Sequence, residues 1–140
     1  MTYDPNNIFA KILKGDIPCH KIYEDEDTIA FLDIMPRSEG HALVITKTTA
    51  RDLFDVDPAA LAKLMAMVQK LAPKIKDAVG ADGVLIQQFN GAAAGQTVFH
   101  LHVHIVPVKE GVPLKPHTGQ IADQAELTAT AEKIRQALRS

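Results

Sequence analysis

The stretch Phe99-His100-Leu101-His102-Val103-His104-Ile105-Val106 decides how the rest of the chain is read. Imidazoles recur at every second residue and large apolar side chains fill the places between them. This is the period-two pattern of a half-buried strand, whose successive side chains point to opposite faces. One face is expected to belong to the core and the other to histidine. At about 3.3 Å rise per residue, alternate positions stand roughly 6.5 Å apart, so three rings form a row that can line a groove. They cannot converge on one small atom unless the strand bends.

Working backwards, Val84 to Phe89 reads as another strand, and between the two lies Asn90-Gly91-Ala92-Ala93-Ala94-Gly95-Gln96-Thr97. Small residues there let backbone come close to a ligand and leave N–H groups that can meet an anion. Further upstream, Asp57-Pro58 is a helix start, the aspartate capping and the proline sitting where its missing donor costs nothing. Leu61, Leu64, Met65, Val68, Leu71, Ile75 and Val79 then mark one face of a long helix ending at Gly80, with Pro73 expected to kink or divide it. Met65 and Met67 are taken as core filler.

The first half of the chain predicts a short helix between Asp4 and Gly15, capped by Asp4 or Asn6. Strands are expected at Lys21–Glu24 and Thr28–Ile34 around the acidic tip Asp25-Glu26-Asp27, and a third over His41–Ile45. After Val108 a proline- and glycine-rich loop leads to a last helix, opened by Asp123-Gln124-Ala125-Glu126 as a capping-box variant and carrying Leu127, Ala131, Ile134 and Leu138. His20 and His117 fall in polar or proline-flanked segments and are expected to be solvated. Together these elements predict an α+β fold, a mainly antiparallel sheet of about five strands with a long helix packed on it. An open sheet edge would make strand addition between two copies plausible.

The composition limits the classes of function. A chain of 140 residues with 46% hydrophobic and 23% charged residues is expected to form one soluble globular domain over residues 1–140. A net charge of −2 supplies no basic field for tracking nucleic acid or an anionic membrane, so neither is expected as a partner. Cys19 is the single cysteine, which precludes an internal disulfide and fits a reducing compartment. No apolar run approaches the roughly 18 residues of a membrane span, and Met1 to Asn7 lack the makings of a signal peptide. A cytoplasmic location is expected.

An imidazole with its usual pKa near 6.5 is largely unprotonated and nucleophilic at neutral pH, and it leaves phosphorus readily once protonated. A neighbouring ring can donate to a phosphate or protonate a leaving group. Three rings beside a small-residue loop therefore match attack on a phosphate ester, anhydride or amidate. A metal-binding row of His100, His102 and His104 is the competing reading, since neutral histidine ligates zinc, copper and nickel. Against it, Cys19 stands alone and no carboxylate adjoins the row in sequence. A nucleotide sensor with little turnover is a third.

His100-Leu101-His102-Val103-His104-Ile105-Val106, with its lead-in Gly95-Gln96-Thr97-Val98-Phe99, resembles the signature of the histidine triad (HIT) superfamily of nucleotide hydrolases and transferases, in its HINT-like branch. Ile8-Phe9-Ala10-Lys11-Ile12, Tyr23-Glu24-Asp25, Ala30-Phe31-Leu32-Asp33-Ile34-Met35-Pro36 and Gly40-His41-Ala42-Leu43-Val44-Ile45 follow in that family's order. The resemblance covers about residues 5–108 and leaves a C-terminal loop and helix over 109–140.

The resemblance implies an enzyme that cleaves a nucleoside monophosphate, purine and adenylate first, from a phosphoramidate or polyphosphate. It implies His102 as the nucleophile that takes the nucleotidyl group, His104 as a donor to the phosphate or leaving group, and His100 and His41 as support. Asp33 would hold the ribose hydroxyls and Phe31, Leu32 and Ile34 would wall the base, while Gly95, Gln96 and Thr97 would meet the phosphate. Phe89 occupies a place where many relatives have asparagine, with Asn90 as a substitute. The resemblance further implies a homodimer and catalysis without a metal or other cofactor. Many members carry a Cys-x-x-Cys zinc motif, but Asn7 and Ala10 fill those places here and Thr48 and Thr49 stand where a further histidine is often found, so no structural zinc is expected.

Overall fold

The computed structural model describes residues 2–116 and 120–140. His117 lies outside them. Helix α1 spans Ile8–Lys14, β1 Lys21–Glu24, β2 Thr28–Leu32, β3 Ala42–Thr46, α2 Pro58–Val79, β4 Gly83–Gln87, β5 His102–Val108 and α3 Gln124–Arg139. The strands form one five-stranded sheet in the order β1-β2-β3-β5-β4, and each neighbouring pair is antiparallel. The expected α+β architecture is observed.

Local chemistry explains most element ends. Asp57 accepts from the N–H groups of Ala59 and Ala60, and Gly80 closes α2 in the left-handed region. Pro73 does not divide that helix, which runs unbroken for 22 residues with the proline ring on an exposed side. Helix α1 is capped by Asn7, whose Oδ1 accepts from Ala10 N–H, and not by Asp4 or Asn6. Asp123 is the N-cap of α3 but makes no side-chain capping bond, so the capping box is not formed.

Helices α2 and α3 cover one face of the sheet. Leu64, Met67, Val68, Leu71 and Ile75 pack there against Ala30, Leu32, Ala42, Val44, Leu101, Val103 and Ile105. Met67 lies three residues from Leu64 and four from Leu71 and so shares their stripe, whereas Met65 is 41% exposed, contrary to its expected place in the core. Helix α1 covers the other face, where Phe9 meets Ile29, Phe31, Leu43 and Ile45.

The alternation in β5 thus holds, but the histidine face is roofed and not open. Register makes this face a single surface, with His102 opposite Ile45 and His104 opposite Leu43. Phe31 and Asp33 continue it on and beyond β2, and His41 precedes β3 with the same parity. Phe99 and His100 belong to the approach to β5 and not to the strand. Edge strand β4 pairs only with β5 among the described strands and is half-buried, with Ile86 exposed. Among the described residues, no helix is long and apolar enough to cross a membrane.

Gly40 turns the chain into β3 with φ of 88°, and a Cβ there would lie 3.0 Å from Val79 Cγ1 and 3.3 Å from Pro107 Cγ. Gly15 has a similar φ of 82° with nothing within 4 Å. In urea titrations Gly15→Ala should lose about 1–2 kcal/mol from the left-handed backbone alone. Gly40→Ala should lose a further 1–3 kcal/mol or so through overpacking between α2 and β5.

Candidate active site

A cavity of about 170 Å³ opens on the histidine face. Its apolar side is formed by Phe9, Ile12, Ile17, Phe31, Ile34 and Leu43, and its polar end by Asp33, Thr97, His102 and His104. Leu32 borders it although its side chain belongs to the core under α2, because it alternates with Phe31 and Asp33. Cys19 lines the apolar end, where burial pushes its thiol pKa up and keeps it a poor nucleophile.

The hydrogen bonds around the rings settle where their protons lie. His102 Nδ1 is 2.7 Å from the carbonyl oxygen of His100. A carbonyl can only accept, so Nδ1 carries the proton and the lone pair of the neutral ring is on Nε2. The peptide N–H of Arg37 donates to His41 Nδ1 at 3.0 Å, which places the His41 proton on Nε2. That N–H points at His104 Nδ1, 2.9 Å away, so His104 carries its own proton on Nε2. His102 and His104, with ring centroids 5.1 Å apart, therefore offer an acceptor and a donor side by side at the polar end of the cavity.

Asp33 stands behind this relay, its Oδ2 3.6 Å from His41 Nε2 and its Oδ1 accepting from Met35 N–H at 2.8 Å. Phe9 meets the His102 ring edge-on at 4.9 Å between centroids, and Phe89 meets the His104 ring at 5.5 Å. These contacts hold both rings in defined orientations. Phe89 thus packs against His104 and offers the site no polar group.

His100 is turned elsewhere. Its Nε2 faces the carbonyl of Thr46 at 2.7 Å and its Nδ1 accepts from the hydroxyl of Tyr3 at 2.6 Å. Both nitrogens are spent on protein, and burial lowers its pKa below the usual 6.5. The three rings therefore do not form a continuous row, and His100, His102 and His104 do not converge on one ion.

Asp33, His41 and His104 do bring one ligand atom each within 4.8 Å of one another. The His41 ligand atom would be Nε2. Ligation there needs its lone pair, while the Arg37 N–H already claims the lone pair on Nδ1. A neutral imidazole has only one such pair, so the arrangement fits a proton relay better than a cation cage.

The loop before β5 differs from its expected form. Within it, the N–H groups of Ala94, Gly95 and Gln96 donate to carbonyls of the same loop, and that of Gly91 donates to Gln96 Oε1. Gln96 is buried, its Nε2 donating to the carbonyls of Arg51 at 2.7 Å and Val98 at 3.1 Å. Asn90 accepts from Leu53 N–H and exchanges bonds with Gln88. Gln96 and Asn90 thus brace the loop, Gly95 sits at its left-handed corner, and Thr97 reaches the cavity. Of the solvated histidines expected, His20 is partly exposed and bonds Gln124 Oε1. Tyr3, Phe9 and Arg37 reach the rings although none of them adjoins the histidines in sequence. Only the fold brings them to the rings.

The HIT domain family model matches residues 14–111. The adenylylsulfatase HINT3 of Arabidopsis thaliana is 41% identical over 103 residues, 74% of this chain but only 52% of that protein, so the chain spans about half of that relative. The adenosine 5′-monophosphoramidase hnt1 of Schizosaccharomyces pombe is 43% identical over 100 residues, covering 71% of this chain and 72% of that one. Among solved structures, a Hit-like protein of Bartonella henselae described as involved in cell-cycle regulation superposes with a TM-score of 0.91 at 48% identity. That match covers 97% of this chain and 99% of the other.

The low His100 pKa makes a pH prediction. The unfolded chain takes up a proton near 6.5 whereas the folded ring resists it to lower pH, so the unfolded state binds more protons in that window. Stability then rises with pH through the window and is lost as pH falls below about 6.5. Urea midpoints followed from about pH 7.5 to about pH 5.5 should fall more steeply for the wild type than for His100→Asn.

Proposed function

The chain belongs to the HIT domain family, and from that premise we propose that it is a nucleotide hydrolase or transferase working through a nucleotidyl adduct on His102. It releases a nucleoside monophosphate, purine and adenylate first, from a phosphoramidate or a polyphosphate. The observation that carries the reading is the pair of tautomers at the end of the cavity, a lone pair on His102 Nε2 beside an N–H on His104 Nε2. The names of the relatives, an adenylylsulfatase and an adenosine monophosphoramidase, support adenylate as the group transferred.

In the first step His102 Nε2 attacks the α-phosphorus, the N–P bond forms and the bond to the leaving group breaks, an amine departing with a proton already taken from solvent and a phosphate departing as the anion. The ring already holds its other proton on Nδ1 against the His100 carbonyl, so the cation formed on bonding to phosphorus is stabilised where it arises. His104 Nε2–H donates to a phosphoryl oxygen or to the leaving atom. In the second step water attacks phosphorus and gives up its protons to solvent, the N–P bond breaks with its electron pair returned to His102 Nε2, and the monophosphate leaves with the oxygen of water. Asp33 receives the ribose hydroxyls, while Phe31, Ile34 and Leu43 enclose the base. Thr97 stands at the phosphate end, and His41 orients His104.

The half-exposed edge of β4, with Ile86 outward, suits pairing with the same edge of a second copy, and a homodimer is part of the reading. The lone half-buried thiol of Cys19 accords with a reducing, cytoplasmic setting.

Two kinetic outcomes are expected on a panel of adenosine 5′-phosphoramidate and diadenosine polyphosphates. His102→Ala should lower kcat by about three orders of magnitude or more, and undiminished turnover would overturn the nucleophile assignment. Asp33→Asn should raise KM about tenfold with kcat changed by less than about threefold, because it weakens binding common to substrate and transition state. A kcat loss without a KM change would remove Asp33 from the ribose.

A further inference from the structure

The loop between β2 and β3 carries Asp33 at one end and His41 at the other, and it is strapped from outside the HIT match. Ala122 N–H donates to the carbonyl of Ile34 at 2.8 Å, and Lys115 N–H to that of Arg37 at 2.9 Å. Arg37 Nε returns a bond to the Lys115 carbonyl at 3.1 Å, and its Nη1 reaches Gln87 Oε1 at 3.2 Å. Gln87 is the β4 residue opposite His104. Arg37 is thereby tied on its carbonyl and on its guanidinium. Its peptide N–H is the group 3.0 Å from His41 Nδ1.

We propose that Arg37 is a positioning residue: its N–H, held by the strap at Lys115, dictates which nitrogen of His41, and through it of His104, carries the proton. The inference rests on the reading of His104 as a donor to phosphate, but its central claim concerns proton placement alone. The two rings share one hydrogen bond of 2.9 Å, whose direction depends on which nitrogens carry the protons. With His41 protonated on Nε2 the bond runs outward and His104 presents an N–H to the cavity. With His41 protonated on Nδ1 the bond reverses, and His104 presents a lone pair beside that of His102. Two lone pairs would then face an anion. A peptide N–H opposite Nδ1 forbids the second state, because two donors would meet at 3.0 Å. Sequence near the histidines says nothing of this, since the determinant is a backbone atom fixed by residues 50 and 78 positions from Arg37.

The test is long-range proton–nitrogen NMR of the imidazoles in the full chain, with Arg37→Ala and Lys115→Pro as variants. The first removes the guanidinium ties, and the second removes the N–H that holds the Arg37 carbonyl. They act from opposite sides, so a folding defect in one leaves the other informative. The wild type should show His41 and His104 each as the Nε2–H form, and either folded variant a mixture at both rings. With adenosine 5′-phosphoramidate, kcat of the variants should fall about tenfold with KM within about twofold. Wild-type tautomers retained in both variants, or a wild-type His41 protonated on Nδ1, would overturn the proposal whatever the activity. Shifted tautomers with unchanged turnover would uphold Arg37 as the determinant and overturn instead the donor role given to His104.

Discussion

A peptide carbonyl has no proton to give, and the carbonyl of His100 sits 2.7 Å from Nδ1 of His102. The chemistry available to the site follows from that constraint. It fixes the ring's tautomer, leaves the lone pair on the nitrogen at the cavity, and ties the His102 ring to the chain just before its strand. The chain bends at His100 before β5 begins, and the carbonyl two residues back lies within reach of the ring. His100 earns its place in the pattern through its backbone as well as its side chain.

The second element is parity. Antiparallel pairing puts His102 and His104 on the face shared by Leu43, Ile45 and Phe31, so two strands supply an apolar wall beside the imidazoles supplied by a third. Leu101, Val103 and Ile105 anchor the reverse side beneath α2. A one-residue slip of β5 would bury the histidines under α2 and push the anchors into the cavity. Register and function are thus one specification, and the buried side chains of β5 enforce it.

Much of this was legible in the chain. The alternation over 101–105, the Asp57-Pro58 start with Gly80 as stop, and the bounds of β1 come from local rules that the structure does not override. Phe31, Asp33, Thr97, His102 and His104 line the cavity, and His41 bonds His104 from behind it. What was not legible depends on partners remote in sequence. His100 leaves the row because Tyr3 and Thr46 claim both its nitrogens. Gln96 turns inward because Arg51 and Gly91 offer it three bonds with Val98. The choice between Met65 and Met67 depends on where α3 and the sheet meet α2, which the periodicity of one helix cannot fix to a single residue.

The placement of α1 ties two properties together. It is a seven-residue helix whose Phe9 closes the second apolar cluster and touches the His102 ring, and Tyr3 just before it bonds His100. The segment contributes little to the large core under α2, so it belongs to the class of elements that open locally below the global unfolding free energy. Warming would therefore undock the cover of the cavity while the sheet stays intact, and the cavity would lose its shape below the temperature at which the fold is lost.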